Sequence, residues 1–429
     1  MRFRTVIVAA VAASALPVAA QGPASSGFSA ERLSRMDRGI QQYVDDERLA
    51  GAVVLVLRDG QTVYERAFGW SDKEAGRKMT TDTIFRIASQ TKAITSTAVL
   101  SLVEEGKISL SDPVSRFIPT FAKTSVAVPG DSGVTIVPAK RPITVRDLLT
   151  HTAGISYGTE SQVASRYEPK GLGPAAGLGW YTADKSEPIC DTMERLGTLP
   201  FVAQPGEAWV YGYNTDVLGC IVEKASGTPL DEFVRTRVTE PLGMKDTRFF
   251  LRPEDRGRLA AVYASAADGK AVRAPEGPKG QGNYAEGPRR SFAGGAGLLS
   301  TARDYGRFLE MIRNGGQLGG VRILAPRTVQ LMRTNQVGTL HSTNGLGFGL
   351  GFETTDRYGA NGMDSVGAFG WGGAYGTVYR IDPAARLTIL LMVQQLPNTT
   401  DVREKVPTLV YQALVGGDAG TGSGANQVK

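Results

Sequence analysis

The two ends of this chain carry the same pattern in opposite order, and this symmetry constrains the fold more than any other feature. Near the N-terminus, a helical pattern over residues 28–51 precedes two β-rich segments separated by a turn at Asp59-Gly60, which is typical of a hairpin. Near the C-terminus, a hairpin pattern around Asp382 precedes a helical pattern over residues 401–416. Because an isolated hairpin is marginally stable, the sequence predicts that both join one antiparallel sheet flanked by the two terminal helices.

The long segment between the hairpins has a different pattern. Helical stretches alternate there with loops rich in glycine and proline, around residues 122–142, 156–188 and 266–296. The chain holds 53 glycines, well above the usual share of about 7%. Long loops in a protein of this kind are usually functional or mobile, so we expect the reactive groups to lie near them.

The predicted fold class is therefore α/β in the α+β sense, an antiparallel sheet built from both ends of the chain with a mainly helical insertion. The predicted sheet domain covers residues 21–88 and 318–416, and the predicted helical domain with its loops covers residues 89–317. The last residues, 417–429, have almost nothing apolar to bury and are predicted to be a disordered tail.

The first twenty residues have the pattern of a secretory signal peptide. A positive start at Met1–Arg4 is followed by an apolar stretch, Thr5–Leu16, and by small residues that end at Ala20. We expect cleavage after Ala20 and a periplasmic or secreted protein. The apolar stretch is too short to span about 30 Å of hydrocarbon, and no later stretch is long enough, so no membrane insertion is expected.

Charge and cysteine usage exclude further classes. The net charge is +6, but the basic residues are interspersed with acids and form no basic run, so nucleic acid is not an expected partner. The two histidines, His151 and His341, lie far apart and give no metal-ligand spacing. Export permits a disulfide between Cys190 and Cys220, but Cys220 lies in an apolar helical pattern, which favours a buried free thiol; both alternatives stay open.

Ser89 and Lys92 lie three positions apart in the segment RIASQTKAIT, which has a helical pattern. On a helix such residues face the same side with Cβ atoms about 5–6 Å apart, so a hydroxyl and an amine can share a hydrogen bond. A serine becomes a nucleophile when a base takes its proton, and a buried lysine can be that base because burial favours the neutral amine. On this stretch alone, a helix-capping serine with a lysine that reaches solvent is an open alternative.

Further motifs follow this pair in a set order. They are FRIASQTKAITSTAVLSLVEEGKISLSDPVSRFIP (85–119), ITVRDLLTHTAGI (143–155), PGEAWVYGYNTDVLGCIVEKASG (205–227), GGAGLLSTARDYGRFLEMIRNGG (294–316) and GAFGWGGAYGT (367–377). This ordered set resembles the serine β-lactamase and penicillin-binding-protein superfamily, and within it the class C β-lactamases and the related family VIII carboxylesterases. The resemblance covers nearly all of the chain after the signal segment and implies a β-lactamase/transpeptidase-like fold.

The resemblance also implies roles for individual residues. Ser89 would be the nucleophile, Lys92 its basic partner, and Tyr211 the tyrosine that relays the proton to the leaving alcohol. The backbone N–H groups of Ser89 and Ala374 would form the oxyanion hole. From its neighbours alone, Tyr211 would instead be a core aromatic residue beneath Trp209.

One departure from the β-lactamase pattern lies beside Tyr211. Where that pattern has tyrosine, any residue, asparagine, this chain has Tyr211, Gly212 and Tyr213, and Asn214 is displaced by one position. The resemblance implies that Tyr213 and Asn214 bind substrate. Because Asn214 is displaced, its amide is not expected to contact the side chain of a lactam as the asparagine of the β-lactamase pattern does.

The second departure lies in the strand motif. Where lactamases have lysine-threonine-glycine, this chain has Trp371-Gly372-Gly373, a form similar to the family VIII esterases. Trp371, Gly372 and Gly373 are predicted to bind substrate, because glycines let a ligand approach the strand closely. An indole at this position leaves the carboxylate of a lactam without the charged partner that the lysine would supply.

A competing nucleophile is Ser156, since GISYG (154–158) matches the G-x-S-x-G elbow of α/β-hydrolases. That elbow needs a strand before it and a helix after it, whereas here a helical pattern precedes the serine and a glycine-rich loop follows. The one histidine downstream, His341, has no motif around it. His151 is predicted to fix a turn through side-chain-to-backbone bonding rather than to act in catalysis.

The sequence thus predicts an exported serine hydrolase that acts as a carboxylesterase on small esters through an acyl-enzyme on Ser89. A small-molecule ester is the expected partner and no cofactor is implied. Within the enzymes the alternative is a β-lactamase or D-alanyl-D-alanine carboxypeptidase. An alternative of another class is a penicillin-binding-like protein that acylates but barely turns over, serving as a binder or sensor. The oligomeric state is left open.

Overall fold

The computed structural model describes residues 27–173, 185–285 and 287–416. The predicted signal peptide over residues 1–20 and the predicted tail over residues 417–429 lie outside these ranges, so both stay predictions.

Helices and strands alternate along the described ranges. The α-helices are α1 (Ala30–Asp45), α2 (Thr91–Glu104), α3 (Val145–Leu149), α4 (Ala164–Tyr167), α5 (Ile189–Leu196), α6 (Asn214–Ser226), α7 (Leu230–Val234), α8 (Ala302–Arg313), α9 (Pro326–Met332) and α10 (Val402–Tyr411). The strands are β1 (Gly51–Arg58), β2 (Gln61–Asp72), β3 (Arg77–Lys78), β4 (Phe85–Arg86), β5 (Ser125–Gly130), β6 (Gly133–Pro138), β7 (Pro200–Phe201), β8 (Tyr263–Ser265), β9 (Ala271–Arg273), β10 (Leu299–Ser300), β11 (Gln317–Leu318), β12 (Val321–Arg322), β13 (Leu346–Phe348), β14 (Glu353–Thr355), β15 (Phe369–Gly372), β16 (Val378–Asp382) and β17 (Leu387–Val393).

The two ends of the chain meet in one antiparallel sheet, which confirms the predicted fold class. The sheet has the strand order β13-β14-β15-β16-β17-β1-β2-β3. The first N-terminal strand pairs with the last C-terminal strand, from Ala52 opposite Val393 to Arg58 opposite Leu387. The β1–β2 turn falls at Asp59-Gly60, as the sequence predicts.

Alternation along β1 divides the apolar residues between two cores. Val54 faces α1 and α10 and packs in a cluster with Met36 and Val406. Val53 and its second neighbour Leu55 face the other way, into the larger core that holds the central helices. The period of two in a strand therefore explains why both faces of the sheet are covered by helices.

One predicted loop contains secondary structure. Within residues 122–142, strands β5 and β6 form a hairpin, with Val126 opposite Val137. Only the base of this hairpin is buried, since Val134 and Ile136 are exposed. Because little apolar surface is covered, the pattern gave no signal that separates this hairpin from a loop.

The prediction of a free thiol is wrong. Cys190, in the first turn of α5, and Cys220, in α6, form a disulfide, with a Cα–Cα distance of 5.0 Å. Burial of Cys220 was predicted and is found, because the side chain is on the face of α6 that packs against α5. The sequence could not show the disulfide, because only the packing of α5 against α6 places the Cys190 sulfur beside that of Cys220.

In the described part of the chain, no helix combines the length and the apolar character that crossing a bilayer requires.

Candidate active site

The segment that the sequence predicts to be helical begins with a single 3-10 turn, Ala88–Gln90, which contains Ser89 and directly precedes α2. A backbone hydrogen bond holds the residue before this turn, because Ile87 N–H donates to Leu298 O at 3.1 Å. Ala88 has φ +43°, a left-handed conformation that is rare for a residue other than glycine. The nucleophile candidate therefore follows directly after a strained backbone position, as is common at active sites.

Lys92 is buried, with 2% of its surface exposed, in the first turn of α2. Its Nζ lies 3.3 Å from Ser89 Oγ, 3.0 Å from Tyr157 Oη and 2.9 Å from Gly295 O. The alternative of a lysine that reaches solvent is thus wrong. An amine held at this distance from a serine hydroxyl can take its proton.

Tyr157 is a residue that the sequence analysis missed. It follows the turn after α3, and its hydroxyl accepts the hydrogen bond from Lys92 Nζ. Burial, followed by the neighbouring Tyr211 and Asp216, raises the pKa of Tyr157 well above its usual range. Its phenol therefore keeps its proton at neutral pH and orients the lysine rather than acting as a base.

Tyr211 also lies beside Lys92, in the segment that leads into α6. The Lys92 Nζ is 4.6 Å from the centroid of the Tyr211 ring. Trp371 Nε1 on β15 donates a hydrogen bond to Tyr211 Oη at 3.1 Å. The structure therefore brings together Lys92, Tyr211 and Trp371. The Tyr211 hydroxyl forms its hydrogen bond with the Trp371 indole and not with the Lys92 amine.

The predicted oxyanion donors lie at the junction of β15 and the Ser89 turn. Ala374 packs against the small apolar cluster that contains Ala88. A Cβ on Gly373 would lie 2.5 Å from Ile87 O, so only glycine allows the strand to approach the turn this closely. Among the described residues, no acceptor is bonded to the backbone N–H of Ser89 or of Ala374. Both donors can therefore serve a developing oxyanion.

Several residues of this region are partly exposed. Ser89, Tyr157, Tyr211, Trp371 and Ala374 are each partly exposed, although their neighbours in sequence are mostly buried. Because Ser89 lies beside Lys92 and Tyr211 is bonded to Trp371, these partly exposed groups can contact the same substrate.

Comparison with known proteins agrees with this geometry. The model of the Beta-lactamase family matches residues 36–413. The chain belongs to the Beta-lactamase family. The predicted resemblance to the serine β-lactamase and penicillin-binding-protein superfamily is thereby confirmed, and the chain is a serine hydrolase.

Relatives within this family include esterases. Esterase EstB of Burkholderia gladioli is 35% identical over 384 residues, which cover 85% of this chain and 91% of that protein. Protein Rv1367c of Mycobacterium tuberculosis (strain H37Rv) is 36% identical over 379 residues, with coverage of 84% and 89%. Among solved structures, EstCE1, a hydrolase with promiscuous acyltransferase activity, has a TM-score of 0.75 at 28% identity and covers 90% of this chain and 99% of its own.

Two of the predicted substrate-binding residues are buried. Tyr213 has no exposed surface, and its hydroxyl accepts a hydrogen bond from Gly173 N–H at 3.2 Å. Asn214 is also fully buried, and its Nδ2 lies 2.9 Å from His151 Nδ1 and 3.1 Å from Ile155 O. This burial speaks against substrate contact, because both side chains already hold together the loops around the site.

Both histidines, His151 and His341, pack among the aromatic rings beside Tyr211. His151 has φ +58°, and its ring centroid is 4.8 Å from that of Tyr211. Its ring bonds a side chain, Asn214, rather than the backbone as predicted. Burial, with the charge of Lys92, lowers the pKa of His151 well below its usual range. His341 lies 4.4 Å from Trp209, centroid to centroid, and its Nε2 is 2.9 Å from Glu353 Oε2.

The competing serine, Ser156, has no exposed surface. Its Oγ donates to Glu160 Oε2 at 2.6 Å and accepts from Gly158 N–H at 3.0 Å. The segment follows α3, and no strand precedes it, so the nucleophile elbow is absent from this part of the described chain. Ser156 instead stabilises the turn that positions Tyr157.

No cluster of three metal-ligating side chains occurs within the residues that the structure describes.

Asp216 is a buried carboxyl group beneath the site. It accepts a hydrogen bond from Gly295 N–H at 3.1 Å, and the carbonyl of the same residue accepts one from Lys92. Burial raises the pKa of Asp216 to about 6, and the charge of Lys92 and the Gly295 N–H offset part of this effect. The carboxyl is thus less stable as an anion in the folded protein than in the unfolded chain.

We expect Asp216→Asn to change the pH dependence of stability. Since the folded-state pKa is the higher one, the stabilising effect of the neutral acid is complete below pH 3.8 and is lost as the pH rises through about 6. The asparagine cannot ionise but can still accept from Gly295 N–H. Relative to wild type, the free energy of unfolding of the variant should rise by on the order of 2 to 3 kcal/mol between pH 4 and pH 7. Urea denaturation across this range measures the difference, and parallel curves would contradict the assignment.

Proposed function

We propose that this chain is a carboxylesterase that cleaves small esters through an acyl-enzyme on Ser89. The observation that carries the proposal is the hydrogen bond from Trp371 Nε1 to the Tyr211 hydroxyl, 3.1 Å long, beside the buried Lys92. The strand thus presents an uncharged indole to the substrate. Esterase relatives, EstB and EstCE1, support the same class of reaction.

The arrangement assigns each step of the reaction to a particular group. Ser89 Oγ attacks the carbonyl carbon of the ester while Lys92 Nζ takes the hydroxyl proton. The N–H groups of Ser89 and Ala374 hold the oxyanion. The bond to the alcohol then breaks, and the alcohol leaves with the proton, passed on by Lys92 and Tyr211. Water attacks the acyl-enzyme in the second half, releasing the acid and restoring Ser89.

We also propose that the protein is exported and loses residues 1–20. The disulfide between Cys190 and Cys220 supports this proposal, because disulfides persist in oxidising compartments. N-terminal sequencing of the protein from the culture medium or periplasm should begin at Gln21, and a mature chain that still starts at Met1 would contradict it.

Replacement of Trp371 tests the ester preference. We expect wild type to hydrolyse a short-chain p-nitrophenyl ester with a higher kcat/KM than nitrocefin, because a lactam carboxylate placed against Trp371 meets an apolar face. Trp371→Lys should raise the ratio of nitrocefin to ester turnover by about one to two orders of magnitude, which is the usual effect of a charge-assisted contact. Initial rates on both substrates measure the ratio.

Trp371→Phe is the matched control, since it removes the hydrogen bond to Tyr211 without adding charge. Its rates should fall on both substrates while their ratio stays near that of wild type. If wild type hydrolyses nitrocefin faster than every ester tested, the esterase proposal is wrong and the β-lactamase alternative replaces it. An acyl adduct that accumulates without turnover would favour the binder or sensor instead.

A further inference from the structure

A cavity of about 590 Å³ lies outside the candidate active site. Its walls come from α7, the turn that follows it and the segments over residues 244–252 and 289–298, and none of the proposed catalytic groups lines it. Its volume is within the range of about 300–1,000 Å³ that is usual for small-molecule sites. Leu298 links the two regions, since it lines the cavity while its carbonyl accepts from Ile87 N–H, directly before the Ser89 turn.

Aromatic rings form an apolar wall of this cavity. The Phe292 ring lies edge-on to Phe249 at 5.5 Å and to Phe250 at 6.1 Å, centroid to centroid. Phe249 is buried, whereas Phe250 and Phe292 are partly exposed. A Cβ on Gly297 would lie 2.8 Å from Phe249 Cδ1, so the backbone supports this wall directly. Partly exposed rings that line a cavity favour a ligand with an apolar portion.

The charged side chains of the lining are mostly basic. The basic residues are Arg235, Lys245, Arg248, Arg252 and Arg289, and the acids are Asp231 and Glu240. Glu240 is already paired, because its Oε1 lies 2.5 Å from Arg235 Nη1. The lining therefore keeps an excess of positive charge, which an anionic ligand would neutralise.

Arg248 has no acid to pair with. It is half-buried, and no carboxylate within the described residues forms an ion pair with its guanidinium. The carbonyl of Lys245 accepts from its Nη2, and its Nε is buried without an acceptor. Its backbone is fixed, because Arg248 and Leu299 exchange two hydrogen bonds, of 3.1 and 2.7 Å. A rigid segment of the chain thus places a guanidinium with unused N–H donors in the lining of the cavity.

The acids near Arg248 are engaged by other arginines. Asp246 pairs with Arg258 at 2.8 Å, and Asp255 pairs with Arg252 at 2.6 Å. Burial lowers the pKa of Arg248, and the charge of Arg252 adds to this effect, which the nearby acids oppose. A cation that is half removed from water and left unpaired gains most from an anionic ligand.

We propose that this cavity is a second binding site, for an amphiphilic monocarboxylate of the class of medium-chain fatty acids. The carboxylate pairs with the Arg248 guanidinium, whose planar fork matches its two oxygens. The chain of the ligand lies against Phe250 and Phe292. Asp231 and Glu240, in the same lining, disfavour a second negative charge on the ligand. The site is distinct from the ester site, so the inference does not depend on the esterase proposal.

Isothermal titration with matched ligands tests this site without any variant. The protein is first labelled with a fluorophosphonate, so that its reactive serine is occupied and the ester site is blocked. Octanoate should then bind once per chain. Octanamide, which has the same chain without the charge, should bind about ten- to hundredfold more weakly, as expected for loss of a charge-assisted pair. Acetate, which has the charge without the chain, should bind at least about hundredfold more weakly than octanoate.

Variants then assign the binding to this cavity. Arg248→Gln should weaken octanoate binding by about ten- to hundredfold and change octanamide binding by less than about threefold. Arg248→Lys should keep part of the preference for the anion. Phe250→Ala should weaken the binding of both ligands by a similar factor, because it removes apolar surface from the wall. Arg386→Gln is the matched control, since it removes an exposed arginine at the β16–β17 turn, and it should change neither affinity.

Three other outcomes would overturn the inference. If octanoate binds the unlabelled protein but not the labelled one, the carboxylate binds in the ester site and not in this cavity. If octanamide binds as tightly as octanoate, or if the preference for the anion persists in Arg248→Gln, then Arg248 does not bind the carboxylate. If inorganic phosphate binds as tightly as octanoate, the cavity is a site for simple anions and the assigned ligand class is wrong.

Discussion

Ser89→Ala is expected to lower kcat for ester hydrolysis by about 10⁴-fold or more, because the reaction loses its covalent nucleophile. Ser89 Oγ is the hydroxyl that lies 3.3 Å from the amine of a buried lysine and opens onto the site. Alanine removes the oxygen and leaves the 3-10 turn and its backbone N–H groups in place. Steady-state rates with a short-chain p-nitrophenyl ester measure the loss.

Ser156→Ala is the matched control in this comparison. It removes hydrogen bonds to Glu160 and Gly158 in a buried turn, so we expect a loss of about 1–3 kcal/mol in stability. The kcat per folded molecule should stay within about tenfold of wild type, since the turn also carries Tyr157. A Ser89→Ala variant that retains most of the activity, with Ser156→Ala inactive, would refute both the site and the mechanism.

The second large effect is expected at Lys92. Lys92→Ala removes the base that takes the Ser89 proton and should lower kcat by about 10³–10⁴-fold. Tyr211→Phe should also cost a large part of kcat, because the leaving alcohol loses its proton donor. If the two residues act as one unit, the double variant should be little worse than the poorer single variant. Losses that multiply would mean that the two residues do not share a proton path.

Tyr157→Phe separates the two tyrosines. The Tyr157 hydroxyl bonds to Lys92 at 3.0 Å but keeps its proton, whereas the Tyr211 hydroxyl accepts from Trp371. We therefore expect Tyr157→Phe to lower kcat by about tenfold, through the orientation of the lysine, and Tyr211→Phe to lower it far more. The reverse order would assign the proton relay to Tyr157 and leave Tyr211 with a structural role.

The parts of the fold that the sequence predicts are those encoded by local patterns. The hairpin at Asp59-Gly60 needs no knowledge of distant residues, and it is found in the structure. The spacing of Ser89 and Lys92 likewise brings two groups to one face of a short helical segment. The assignment of Tyr211 needed the resemblance to a known family, because its own neighbours are typical of a core.

The parts that the sequence does not predict depend on contacts between distant segments. Tyr157 reaches Lys92 from 65 positions away, and its neighbours GISYG point instead to a different hydrolase motif. Arg403, in the first turn of α10, likewise lies against Gly372 of β15, a contact between segments far apart in sequence. The burial of Tyr213 and Asn214 likewise depends on distant segments, since Gly173 bonds the first and His151 the second.

Mass-spectrometric mapping of a fluorophosphonate adduct tests the central claim most directly. A fluorophosphonate phosphonylates the activated serine and stays attached, so the labelled peptide identifies the nucleophile. We expect one adduct per chain, on the peptide that contains Ser89, and a loss of esterase activity in proportion to the labelled fraction. An adduct on Ser156, or full esterase activity in a sample labelled completely at Ser89, would contradict the account.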